Sequence, residues 1–163
     1  MIEQGLQQEI NMVMTEARNR RLEFVTVEHL LLALLNMDEV IAFLRGKRVN
    51  IDELRAELDQ YIDSHTPIIS EDAEIDIVPT VGFQRVLQRS VYQAQSAQKN
   101  SVNAMNVFVS IFSEKESHAV YMLKLNNISR LDVMEGISSH LADNPVEETK
   151  KVEGDKQAKP SSL

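Results

Sequence analysis

The chain has 163 residues, of which 43% are apolar, enough to build the packed core of one domain. Its formal net charge of −8 repels phosphate backbones, so nucleic acid is not an expected partner and a basic protein fits better. The absence of cysteine excludes disulfides and thiol nucleophiles. The longest apolar run, residues 30–35, is too short to span a membrane. The first residues do not follow the pattern of a signal peptide. We therefore expect a cytoplasmic protein.

Helical spacing dominates residues 1–63. Apolar positions recur at helical intervals over residues 4–19. Thr26 is predicted to be the N-cap of a second, strongly apolar helix, because its hydroxyl can satisfy a free amide there. A short helix is expected over about residues 38–44, and a fourth is expected to start at Asn50.

A connecting loop is predicted over residues 64–80. Pro67 and Pro79 bracket a stretch that contains several carboxylates. A loop of this length inside a compact domain is uncommon and is usually functional or mobile. We interpret it first as a solvated, acidic connector.

Helical spacing resumes over residues 81–142. Thr80 is expected to cap a helix that begins near Phe83. Two capping-box patterns, in which an acidic residue follows a serine by three positions, begin at Ser113 and Ser129. They predict the starts of the last two helices.

The two halves of the chain repeat. Residues 26–35 align with residues 103–112 at an offset of 77, and the offset grows to 79 where Asn50 aligns with Ser129. Caps align with caps and apolar positions with apolar positions. The sequence therefore predicts an all-α fold of about eight helices, arranged as two pseudo-twofold-related four-helix repeats in one core, with no sheet.

The domain is expected to cover residues 1–142, with repeat one over about 1–63 and repeat two over about 81–142. Residues 143–163 are polar. They are predicted to form a flexible linker, because they cannot bury enough apolar surface to fold.

Three stretches resemble the N-terminal domains of Clp ATPases: residues 23–34 (EFVTVEHLLLAL), 83–89 (FQRVLQR) and 129–133 (SRLDV). The first resembles the signature stretch of the Clp N-domain family. The other two are more similar to the ClpA branch than to the ClpB or ClpC branches. The resemblance covers about residues 1–142 as a series of ordered blocks.

The resemblance implies a docking function. Domains of this family sit on a hexameric AAA+ unfoldase that works with the ClpP peptidase. They receive protein substrates and the adaptor ClpS, which delivers N-degron proteins. The linker would lead to an ATPase module that is not in this sequence. Residues 46–48 (GKR) lack the rest of a phosphate-binding loop. ATP and magnesium are thus expected in the full-length protein and not in this fragment.

The resemblance also implies an adaptor-binding site. Its residues are Glu23, Glu28, Thr80, Val81, Gln84 and Arg85. Glu28 is in the first turn of a helix, where the dipole favours a carboxylate, and is expected to remain exposed to a partner. Arg85 offers a planar fork of donors for carboxylate or backbone oxygens. Alternatively, Glu28 and Thr80 only stabilise their own helix ends.

The residues also bear on functions other than docking. A stand-alone helical regulatory protein could use the acidic surface to sequester a basic protein partner. A hydrolase is disfavoured, since there is no G-x-S-x-G stretch and no cysteine. No residue is predicted to be catalytic, to bind a cofactor or to ligate a metal, and His29 is expected to be structural.

Overall fold

A computed structural model describes residues 1–74 and 76–143, with side chains described as far as residue 138. Apart from residue 143, the predicted linker lies outside the described residues. The elements in chain order are α1 (Gln4–Asn19), β1 (Phe24–Val25), α2 (Val27–Leu34), α3 (Asp38–Gly46), α4 (Ile51–His65), β2 (Val78–Pro79), α5 (Val81–Ser96), α6 (Ala104–Ile111), α7 (His118–Leu125) and α8 (Arg130–Asp143). The predicted all-α class is therefore confirmed, with eight helices among the described residues.

Most helix starts lie where the caps predicted them. Thr26 and Thr80 are the N-caps of α2 and α5, so α5 begins slightly earlier than expected. The start predicted at Ser113 is wrong, because that residue belongs to the turn that ends α6 and its backbone N–H donates to Ser110 O. Ser117 caps α7 instead, and its hydroxyl accepts a 3.2 Å bond from the backbone of Val120.

The backbone repeats as the sequence does. Among the described residues, four that are not glycine have a positive φ: Arg21 (58°), Arg48 (63°), Gln98 (60°) and Asn127 (62°). Each follows a helix end, where a left-handed residue closes the last turn. The first and third are 77 residues apart, and the second and fourth are 79 apart. The same offsets thus relate the local conformations of the two halves.

The segments that lead into the helices pair reciprocally. The two strands pair in parallel, with Val25 opposite Pro79. A second parallel bridge joins Ile2 to Val102, which are the counterparts of these two residues at the offset of 77. In each half, the segment before the first helix therefore pairs with the segment before the second helix of the other half, as a pseudo-twofold arrangement requires. The expectation of no sheet is wrong in this detail, because strands of two residues leave no alternating pattern to detect.

One core serves both halves. Helix α2 contacts α1, α4, α5, α6 and α7, so it lies at the centre of the molecule. Leu31 and Leu34 of α2 and Val107, Phe108 and Ile111 of α6 are fully buried. The two most apolar helices of the chain are thus the pair around which the others pack.

The connector before β2 is anchored to the first half. The Arg21 side chain donates to the carbonyl oxygens of Ile69, Ser70 and Ala73. Ile77 is buried. Much of the segment is exposed, as a connector should be, but these contacts hold it against the loop that leads into β1. Within the described residues, no helix has the length and apolar content to cross a membrane.

Candidate functional site

The N-termini of α2 and α5 lie side by side. The backbone N–H of Thr80 donates to Val25 O at 3.0 Å, so the parallel strands lead directly into their two helices. A Cβ atom added to Gly82 would lie 3.1 Å from Cγ2 of Val27. Contact this close favours glycine, which carries no side chain. Residues far apart in sequence thereby meet at one end of the fold.

Four of the predicted site residues form one exposed surface. This surface, the α5 N-terminal face, consists of Thr80, Val81, Gln84 and Arg85. The Thr80 hydroxyl accepts from the Phe83 amide at 3.2 Å, which confirms its capping role. Gln84 Nε2 donates to a carbonyl oxygen of β2 at 3.2 Å. Val81 is 66% exposed, so this face presents an apolar side chain to solvent.

The guanidinium of Arg85 already has a carboxylate partner. Its Nη2 and Nε donate to the two carboxylate oxygens of Glu114 at 2.7 and 2.9 Å. The hydrogen bond from Arg85 lowers the pKa of Glu114 below its ordinary value, so the carboxylate stays charged. The arrangement fixes the orientation of the Arg85 side chain, which is 53% exposed.

Glu23 lies at the other end of the strand pair. Its backbone N–H donates to Pro67 O at 2.8 Å, and its carbonyl oxygen accepts from Val78 at 3.0 Å. The side chain is half-buried. The short sheet therefore joins Glu23 to the α5 N-terminal face through the backbone.

The expectation that Glu28 remains exposed is wrong. It is only 6% exposed, and its Oε2 accepts from the backbone N–H of Ala119 at 2.9 Å. Ala119 is in the first turn of α7, where free amides and the helix dipole favour a carboxylate. Glu28 thus does act on a helix N-terminus, but on that of α7 in the other half.

Two partners of the site were not identified from the sequence: Glu114 and the Ala119 amide. Nothing in the residue pattern links Glu28 to Ala119, 91 positions away. One signal could have pointed to Glu114. The offset between the repeats grows from 77 to 79 after α6, so the second half gains two residues in the turn that contains it. In the part of the chain that the structure describes, no group of three metal-ligating side chains occurs.

Comparison with known families decides the identity. The sequence model of the family described as the Clp repeat (R) N-terminal domain matches residues 1–126. The chain belongs to the Clp N-terminal domain family. The ClpA homolog protein of Fuscovulum blasticum is 35% identical to this Clp N-domain over 141 residues, which are 86% of the chain. The chain spans 18% of the length of that relative.

Solved structures of Clp-type N-domains have the same fold. The N-terminal domain of Hsp104 from Candida albicans matches with a TM-score of 0.70 at 12% identity, covering 83% of this chain and 87% of that one. A complex of the ClpV N-domain with a VipB peptide matches with a TM-score of 0.65 at 15% identity, covering 87% and 88%. At these identities the likeness concerns the fold of the Clp N-domain.

Proposed function

We propose that this Clp N-domain is the docking domain of a ClpA-type unfoldase. It binds the adaptor ClpS through Glu23 and the α5 N-terminal face and helps to deliver N-degron and other protein substrates. In the full-length protein the domain sits on a homohexameric ATPase that uses ATP and magnesium and passes substrates to ClpP. We further propose that this machine works in the cytoplasm.

The observation that carries the proposal is the grouping of the predicted residues. Five of the six that the resemblance implied lie at the β1–β2 pair and the start of α5, although they come from both halves of the chain. The similarity to a ClpA homolog supports the choice of adaptor. A solved structure of the ClpV N-domain, a protein of the same fold, is a complex with a VipB peptide, which supports protein docking as the general role.

Glu28 has a supporting role in this proposal. Its carboxylate holds the start of α7, and Glu114, which orients Arg85, precedes that helix. We therefore expect Glu28 to act from beneath the surface. Glu28→Ala should lower stability by about 1–3 kcal/mol, because the buried Ala119 amide loses its acceptor. Glu28→Gln keeps an acceptor oxygen and should cost less.

The test is a calorimetric titration of the domain with ClpS. Val81→Asp should weaken binding at least about tenfold, or about 1.4 kcal/mol, because it places a charge in an apolar contact. The helix itself should tolerate the change, since aspartate in a first turn is favoured by the dipole.

The repeat supplies a matched control. Gln4 is the counterpart of Val81 at the offset of 77 and begins α1 in the same way. Gln4→Asp should leave the affinity for ClpS unchanged. Equal affinities of the Val81→Asp, Gln4→Asp and wild-type proteins would remove the α5 N-terminal face from the docking site.

A further inference from the structure

A stack of four aromatic rings lies on the surface between the two halves. Tyr61 of α4 is sandwiched between His65, with ring centroids 4.1 Å apart, and His118 of α7, with centroids 3.9 Å apart. Tyr121 extends the series, 5.2 Å from the His118 ring. We call these four residues the ring stack. Its residues belong to α4 and α7, whereas the α5 N-terminal face belongs to α5 and its cap.

The ring stack is held in place before any partner arrives. Residues four apart on α4 and three apart on α7 share a helix face. His65 Nδ1 lies 3.0 Å from Tyr61 O, and because a carbonyl oxygen can only accept, the nitrogen is the donor. The Glu28 bond to the next residue, Ala119, fixes the start of α7, where His118 is the first helical residue. A ligand would therefore meet ordered rings, which lowers the entropy cost of binding.

The repeat does not require the two rings of α7. At the offset of 79, which relates α7 to α3, the buried Leu123 matches the buried Leu44. At the same offset, however, Glu39 stands in the place of His118 and Ala42 in the place of Tyr121. A packing element essential to the repeat should occur in both halves. The α7 rings have no aromatic counterpart on α3, so the repeat does not need them for packing and they are available for a role on the surface.

The surroundings of the stack favour a cationic ligand with an apolar neighbour. Shallow grooves of about 480 and 460 Å³ flank the rings. Tyr121 is 54% exposed and Leu125, in the larger groove, is 63% exposed. Glu57 lines that groove, and Glu116 lines the other together with Lys115. With a net charge of −8 on the chain, these carboxylates oppose an acidic ligand.

We propose that the ring stack is a docking site for arginine-bearing, unfolded segments of protein substrates. A guanidinium lies flat on an aromatic face and donates in its own plane to a carboxylate, here that of Glu57. An apolar residue beside the arginine covers Leu125. Lysine has a compact, strongly hydrated charge and no plane to stack, so it is bound less well. This site is separate from the adaptor site and does not depend on it.

The test uses a fluorescein-labelled peptide, Gly-Ser-Arg-Leu-Arg-Ser-Gly, and fluorescence anisotropy with the whole domain. The peptide should bind, its lysine version should bind more weakly, and its glutamate version should not bind. Tyr121→Ala should weaken binding about fivefold, the size expected of an exposed cation–π contact. Leu125→Ser, also on the surface, should weaken it as well.

Tyr92→Ala is the matched control, because this tyrosine is 71% exposed on α5, outside the stack. It should leave the affinity within about twofold of the wild type. The proposal is overturned if the arginine peptide does not bind, or if the lysine and glutamate peptides bind as tightly as the arginine peptide. It is also overturned if Tyr121→Ala and Tyr92→Ala have the same affinity for the arginine peptide. Since Tyr121→Ala should not alter ClpS binding, failure here is distinguishable from failure of the adaptor site.

Discussion

At the residue scale, His29 shows how a polar side chain is used inside the core. It is 3% exposed, and its Nδ1 accepts from the backbone N–H of Thr26 at 2.9 Å. Asn106 makes the same contact for Asn103 at the start of α6, also at 2.9 Å. The ring thus completes the N-terminal cap of α2, which agrees with the structural role expected from the sequence.

Burial of His29 should make stability depend on pH. Burial, with a smaller effect of Arg20, lowers its pKa to about 4, from an ordinary value near 6.5. Between these values the unfolded chain binds a proton that the folded protein does not. The free energy of unfolding should therefore keep its full value above about pH 6.5 and fall by about 3 kcal/mol as the pH drops toward 4.

Urea unfolding at several pH values measures this dependence. The His29→Gln variant keeps an acceptor for the Thr26 amide and has no ring to titrate. Its stability should change less between pH 6.5 and 4 than that of the wild type. If the stability of His29→Gln fell with pH as steeply as that of the wild type, the pH dependence could not be assigned to His29.

The cap formed by Thr80 gives a second prediction at this scale. Thr80→Ala should lower the free energy of unfolding by about 0.5–2 kcal/mol, because the Phe83 amide loses its acceptor. The control is Glu3→Ala. Glu3 is the counterpart of Thr80 at α1 but makes no side-chain bond to the helix. Thermal unfolding should show a loss at Thr80 that clearly exceeds the loss at Glu3.

At the element scale, the helix ends differ in how well their residues suit the backbone. Arg48 and Asn127 occupy equivalent left-handed positions after α3 and α7. Asparagine tolerates this conformation, whereas a long side chain is strained in it. At this position the first half therefore carries a conformational cost that the second half largely avoids.

Glycine in place of Arg48 should remove the strain of the left-handed backbone at this position. Arg48→Gly is expected to raise the free energy of unfolding by up to about 1 kcal/mol, and Asn127→Gly by less. Arg48 is exposed, so few other contacts change. Chemical denaturation of both variants checks the order of the two effects. A loss of stability in Arg48→Gly would show that its side chain contributes more than its backbone costs.

At the scale of the whole molecule, the two halves should unfold together. The contact between α2 and α6 and the reciprocal pairing of the segments before α1, α2, α5 and α6 leave neither half with a closed core of its own. Leu31 is fully buried in α2, so Leu31→Ala should lower the free energy of unfolding by about 2–5 kcal/mol.

Hydrogen exchange tests the cooperativity. In Leu31→Ala, the amides of α2 and of α6 should lose protection together, although the substitution is in the first half. Leu131→Ala is the control, because this leucine lies on the surface of α8. Loss of protection confined to the first half would show that the repeats are separate folding units.

The sequence by itself determined the helices, most of their caps, the repeat and the family. These features depend on residues that are close along the chain, such as Asn50 and Glu53, or on order along the chain, as at the offsets of 77 and 79. Local hydrogen bonding and apolar spacing leave a visible pattern in the sequence. The failure at Ser113 shows the limit, since a serine followed three positions later by an acidic residue can also lie in the turn that ends a helix.

Only the tertiary structure decided how the site is assembled. Glu28 meets Ala119 across 91 positions, and Arg85 meets Glu114 across 29. The first contact depends on how the two halves pack, and the second depends on how α5 packs against α6 within the second half. Any helix N-terminus or any exposed cation could have been the partner. The strand pair has the same cause, because two extended residues become a strand only when a neighbour accepts their hydrogen bonds. Long-range partners such as these are chosen by the packed core, which no local pattern encodes.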